Sequence, residues 1–226
     1  MNSNTYFRAP DMRRFICWLY LPATACLLIT AFVSHFGDIP IANLTRDPAA
    51  VTESSPLHGI LSNIGALLWC AAASICYFSC RLIRAEAGGK QVFWFLFYGA
   101  TLTVILLLDD FFMLHDWVFP EYLDIYEKKI FAVYSVLLLA YVTKFRRVIL
   151  ETNYLLLLAA LVFFAFSIVT DRLPQTVLPM HHIFEDGTKF LGIVSWLGYF
   201  SSVSYISVSS CLRKSPARVP PGQSGG

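Results

Sequence analysis

The sequence predicts an all-α fold: a polytopic membrane bundle of six transmembrane helices with both termini cytoplasmic. Composition is the first observation behind this reading. Of 226 residues, 57% are hydrophobic and 14% charged, whereas an ordinary soluble domain carries about 25% charged residues. Second, the apolar residues fall in blocks long enough to cross a bilayer, at about 15–36, 59–82, 92–116, 130–145, 153–171 and 187–211. Third, the basic residues are asymmetric. Threading six spans puts 12 of the 17 Lys and Arg residues on the side that holds both termini, which makes that side cytoplasmic.

Residues 1–14 read as a basic cytoplasmic tail, 15–211 as the transmembrane domain and 212–226 as a disordered cytoplasmic tail rich in Pro, Gly and Ser. The first apolar run exceeds a signal-peptide core of about 7–15 residues, and no convincing small-residue cleavage site follows it, so it is expected to remain as a helix. Pro22 falls near its start, where proline is tolerated. The second helix is rich in small residues, from Ser62 and Gly65 to Ala73 and Ser74, which suits close packing at the bundle centre. The fourth is the least clean, because Glu127, Lys128 and Lys129 stand at its start. The charges of 117–129 suggest an interfacial turn with a solvated surface role. The fifth helix ends in Asp171-Arg172, which reads equally as a helix-end ion pair or as part of a site. Pro179 is placed to start a helix ahead of the last span. All six cysteines fall within helices and no CxxC pair exists, so neither an outer disulfide nor a thiolate zinc site is expected.

The chemistry concentrates on the outer side. Twelve of the 15 acids and all five histidines fall there, and charge placement in loops does not explain it, because Asp and Glu contribute little to orientation. The third helix ends LLLDDFFMLHDWVFPE, with Asp109, Asp110, His115 and Asp116. Asp109 lies eight residues before Trp117, roughly 12 Å along a helix, and an isolated acid deep in a bilayer costs about 2.5–3.5 kcal/mol. On one ideal helix these four side chains fan apart. Either the helix unwinds or only a subset forms a site. The last outer connection supplies the second group, HHIFEDGTK. His181 and Glu185 are four apart, and so are His182 and Asp186, and Glu185 and Lys189.

Mixed histidine and carboxylate sets suit zinc, iron or manganese, and helix bundles build metal sites from facing helices. The expected site therefore has His115, His181, His182, Glu185 and Asp186 as metal ligands. Asp109, Asp110 and Asp116 are its catalytic acids, and Lys189 and Asp171 are accessory charges. Zinc stands ahead of iron or manganese, with hydrolysis of lipid-like amides or esters by metal-activated water as the reaction. The expected partner is the lipid bilayer, with no nucleic acid, and the expected location a bacterial inner membrane with the site facing outward. Two other readings stay open: a non-enzymatic protein that binds or moves a proton or divalent cation, and a structural subunit whose buried ion pairs fix helix packing.

The pattern Asp109-Asp110-x4-His115-Asp116, followed by Glu185-Asp186-x2-Lys189-x2-Gly192, resembles a group of small, uncharacterised bacterial multi-pass proteins. Their version reads D-E-x4-H-E, then E-E-x2-K-x2-G. That resemblance brings no established activity. More distantly, the layout is similar to the membrane hydrolases that include alkaline ceramidases and adiponectin receptors. In them a histidine-held zinc lies within seven spans, and the last histidines are spaced H-x3-H. Here His181 and His182 are adjacent, six spans are expected, and no serine accompanies His115.

Overall fold

The apolar blocks become helices close to the limits the sequence predicts, with the polar ends extended. The computed structural model describes residues 12–83, 90–174 and 181–214. The expected tails at 1–11 and 215–226, the loop at 84–89 and Pro179 lie outside the described residues. The helices are α1 (Met12–Phe36), α2 (Ile41–Thr45), α3 (Pro48–Val51), α4 (Ile60–Ile83), α5 (Lys90–Phe112), α6 (Phe119–Leu123), α7 (Glu127–Lys144), α8 (Arg146–Leu150), α9 (Tyr154–Asp171) and α10 (His181–Lys214), with a π-helical turn at Leu114–Val118. No strand occurs among the described residues.

Five of these helices are long and apolar enough to cross a membrane: Leu19–Phe36, Ile60–Ile83, Lys90–Phe112, Tyr154–Asp171 and His181–Arg213. The protein is thus an all-α bundle with membrane-spanning helices. The expected fourth span exists as α7, but Glu127, Lys128, Lys129 and Lys144 crowd its 18 residues and remove it from that set. The last helix begins six residues before its apolar block, so both histidines and both acids of HHIFED are helical.

Contacts divide the chain into two units, Met1–His58 and Gly59–Gly226. In the first, α1 begins at Met12, so Pro22 stands in the helix interior and not near its start. Membrane helices tolerate this better than soluble ones. Asp47 caps α3 by accepting from the Ala49 N–H at 2.8 Å.

In the second unit α4, α5 and α9 pack around α10 or one another, with α4 buried along Gly65, Ala66, Ala72, Ala73, Cys76, Ser79 and Cys80. Small residues there let α5 and α10 approach, as the sequence predicts. Aromatic rings fill the centre. Phe95, Trp196, Tyr199 and Phe200 are fully enclosed. Polar groups inside are spent on interhelical bonds: the Trp196 indole N–H donates to Thr103 at 3.0 Å and the Tyr141 hydroxyl to the Phe95 carbonyl at 3.2 Å. Large apolar side chains such as Val136, Leu139, Leu155 and Phe166 remain exposed on α7 and α9, a surface suited to lipid tails.

Gly192 of α10 faces the Phe164 ring of α9, and a Cβ there would lie 2.6 Å from ring carbons. Gly192→Ala should lower the thermal unfolding midpoint in detergent, by about 1–3 kcal/mol of overpacking. Gly187→Ala, where a Cβ meets nothing within 4 Å, should leave it unchanged or raise it.

Candidate functional site

The acids of α5 are made compatible with an apolar bundle by a break in the chain. On an unbroken helix His115 would sit about 120° around and 9 Å along from Asp109. Instead α5 stops at Phe112, and Met113 takes the left-handed conformation with φ 50° and ψ 45°. A residue with a side chain adopts it at a cost of roughly 1–2 kcal/mol. The chain then continues as a π turn in which the Val118 N–H reaches the Met113 carbonyl at 3.2 Å. This turns His115 back, so that its Nδ1 lies 2.5 Å from Asp109 Oδ2 and its Nε2 3.3 Å from Asp116 Oδ1.

Asp109 is 5% exposed, and its second oxygen accepts from the Tyr134 hydroxyl of α7 at 2.7 Å. Asp110 points elsewhere and pairs with the Lys189 ammonium of α10. Arg172, just past α9, bonds Glu127 at the start of α7 at 2.6 Å and lies 3.5 Å from Asp171. The C-terminal ends of α5 and α9 and the N-terminal ends of α7 and α10 thus share one polar end of the bundle. Burial works against a charged His115. The hydrogen-bonded Asp109 carboxylate and nearby Asp116 outweigh it and hold the imidazole pKa above its ordinary value.

His181 forms the second cluster. It is 7% exposed, and its Nε2 lies 2.6 Å from the Thr170 carbonyl of α9. A carbonyl only accepts, so Nε2 carries the proton. The lone pair of neutral His181 is then on Nδ1, a buried atom with no hydrogen-bond partner among the described residues. That Nδ1 is 3.5 Å from Glu185 Oε2, and His182 Nδ1 is 3.8 Å from the same oxygen. One ligand atom from each of His181, His182 and Glu185 falls within 4.8 Å of the others, so the three could hold a metal ion. Their spacing, one turn from each histidine to the acid, brings them to one helix face. A ligating histidine generally donates its other ring N–H to a carbonyl or carboxylate, as His181 does here.

The structure therefore separates the residues the sequence grouped. His181, His182 and Glu185 come together. His115 stays with Asp109 and Asp116, both ring nitrogens facing carboxylates. Asp186 joins Asp110 and Lys189 around a small crevice beside Gly65 and Ile193. A larger cavity of about 210 Å³ lies between these groups, with Asp109, Asp110, His115, Asp116, Asp171, Glu185 and Lys189 around its polar end. Two participants were not singled out in the sequence. Tyr134 sits on a helix read as packing and lipid-facing surface, and a hydroxyl in an otherwise apolar run was its only signal. Thr170 takes part through its main-chain carbonyl, which no side-chain pattern reveals.

The chain belongs to a family described as a domain of unknown function, DUF8692, whose model matches residues 20–203. No curated protein and no solved structure matches the chain. The resemblance to the ceramidase-type hydrolases accordingly gains no support from these comparisons.

His115 stabilises the folded state while protonated. Its contribution is complete below the ordinary imidazole pKa of about 6.5 and is lost as pH rises through the higher folded-state value. Asp109→Asn should lower the His115 pKa in an NMR titration and flatten that part of the stability profile. Asp110→Asn alone strands Lys189, whose side chain is 38% exposed, and should cost about 1–3 kcal/mol in unfolding. The double variant with Lys189→Met should recover most of that loss.

Proposed function

We propose that the protein is an integral membrane metalloprotein that binds one divalent ion, zinc ahead of iron or manganese, through His181, His182 and Glu185. The observation that carries this reading is the His181 imidazole. It is fixed in one tautomer by the Thr170 carbonyl, with a buried Nδ1 that has no hydrogen-bond partner among the described residues and lies beside a carboxylate and a second histidine. Nitrogen and oxygen donors in this combination suit zinc, and three protein ligands leave a position for water. Zinc bound there would supply a hydroxide near neutral pH.

The proposed reaction is hydrolysis of an amide or ester in a lipid-like molecule held in the adjoining cavity, which Glu185 also lines. Asp109 orients His115, and protonated His115 donates to the leaving group. Asp116, the exposed acid beside His115 Nε2, then relays a proton from water back to the imidazole. Asp110, expected as a catalytic acid, holds Lys189 at the cavity wall instead. The 12 basic residues on the terminal side support placement in a bacterial inner membrane, with the polar end facing outward.

A second reading is favoured by the pairing itself. Asp109 with His115, Asp110 with Lys189 and Glu127 with Arg172 are each compensated, as a network that fixes helix packing would be. Elemental analysis of protein purified in detergent without a histidine tag separates the two. The metal reading expects about one divalent ion per chain, lost in His181→Ala and Glu185→Ala and kept in Asp110→Asn. Folded protein that stays metal-free after growth in zinc would overturn it.

A further inference from the structure

The cavity at the polar end continues inward as an apolar slot. Five helices line it, α4 through Trp69. On α7 the lining stripe is Phe131, Tyr134, Ser135 and Leu138, and on α9 it is Phe164, Ser167, Ile168 and Asp171. Both follow the i, i+3, i+4, i+7 spacing of a single helix face. α5 adds Leu102 and Leu106 below its two acids, and α10 adds Trp196 below Glu185 and Lys189. The 11 residues from Glu185 to Trp196 span about 16 Å of α10. Charged groups thus line one end and rings and branched chains the other.

The walls differ in how they are packed. α9 lies along α10, whereas α7 lies beside α5 and the π turn. Between α7 and α9, Ser135 and Ile168 line the cavity and are also exposed on the bundle surface. At the polar end the two helices are joined by the Arg172–Glu127 ion pair, with the guanidinium 5.7 Å above the Phe131 ring. The side of the cavity between α7 and α9 is thus bridged at its polar end by that ion pair.

We propose that this cavity binds one single-chain amphiphile with a neutral or cationic head rich in N–H or O–H donors, admitted from the bilayer between α7 and α9. A volume of about 210 Å³ is modestly larger than a cavity of about 150 Å³ that takes benzene. It accepts a segment of one chain and not two chains side by side. The polar end carries five carboxylates, those of Asp109, Asp110, Asp116, Asp171 and Glu185, against three cationic partners, Lys189, His115 and, behind Asp171, Arg172. That balance repels an anionic head and offers acceptors to a donor-rich one. This deepens the reading of the same cavity given above, but it needs no metal and no turnover.

The test uses the full chain in lipid nanodiscs and a monoacylglycerol with a brominated acyl chain, whose bromines quench tryptophan. The readout is the Trp196 signal, taken as the difference from Trp196→Phe; Trp196 is completely enclosed at the floor of the cavity. Saturable quenching by the monoacylglycerol is expected, with roughly tenfold weaker quenching by the brominated fatty acid of the same length at alkaline pH. Brominated phospholipid in the disc should leave Trp196 unquenched, which separates a bound ligand from surrounding bilayer. Ser135→Phe, at an exposed position, should weaken binding without moving the unfolding midpoint, and Glu127→Gln should speed the onset of quenching and keep its plateau. Non-saturable quenching, equal quenching by the fatty acid, or indifference to Ser135→Phe would overturn the proposal. Stripping divalent metal with a chelator should leave probe binding as it was, so this inference and the metal reading can fail separately.

Discussion

A carboxylate inside an apolar helix bundle must be met by a donor or a cation, and two adjacent carboxylates must be met from two directions. Asp109 and Asp110 leave α5 about 100° apart. Asp109 is answered by Tyr134 from α7 and by His115 from the π turn. Asp110 is answered by Lys189 from α10. The polar end is organised by that division. The left-handed Met113 exists because His115 can reach Asp109 only if the helix stops. α7 is tied to α5 by two hydroxyls, Tyr134 to Asp109 and Tyr141 to the Phe95 carbonyl, as well as by packing. The strain at Met113 is small beside the cost of leaving a buried acid without a partner.

The helices were legible because an apolar block long enough to span is hard to mistake. Small residues in ILSNIGALLWCAAAS announced that α4 would pack against neighbours on more than one side. An unwound end was one of two alternatives the sequence left open, but the position of the break was not legible. Met113 is neither glycine nor proline, and nothing local marks it as a site of positive φ. A tertiary demand overrides local preference there. Without the break, His115 could not be assigned to Asp109, and the sequence grouped it with the distant histidines by composition alone. The sequence paired His181 with Glu185 and His182 with Asp186 by their four-residue spacings, whereas the structure brings both histidines to Glu185 and leaves Asp186 beside Asp110 and Lys189. The two histidines' difference in burial, one enclosed and one exposed, depends on how α9 packs and lay beyond the sequence.

Packing and chemistry divide the bundle unevenly. The centre around Phe95, Trp196, Tyr199 and Phe200 is filled by rings whose contacts fix α5 against α10. Gly192 lets Phe164 lie flush against that centre. α7 is held differently, by Tyr134, Arg172 and the π turn at one end and by Tyr141 on Phe95 near the other. Charged helix ends and an exposed apolar flank give α7 the weakest claim on the interior, and the cavity forms where it and α9 do not close. The rigid part of the fold thus carries the proposed metal ligands, and its looser wall carries the proposed mouth.

The His181 ring joins two tasks through its two nitrogens. Nε2–H closes the end of α9 by satisfying the Thr170 carbonyl, a main-chain group that lipid cannot hydrate. Nδ1 points the other way, toward Glu185 and His182. A metal bound at Nδ1 as proposed would leave the Nε2–H contact that joins α9 to α10 made at the opposite edge of the ring. The imidazole is an insulated terminal in that sense, with the helix junction on one nitrogen and the proposed ligand position on the other.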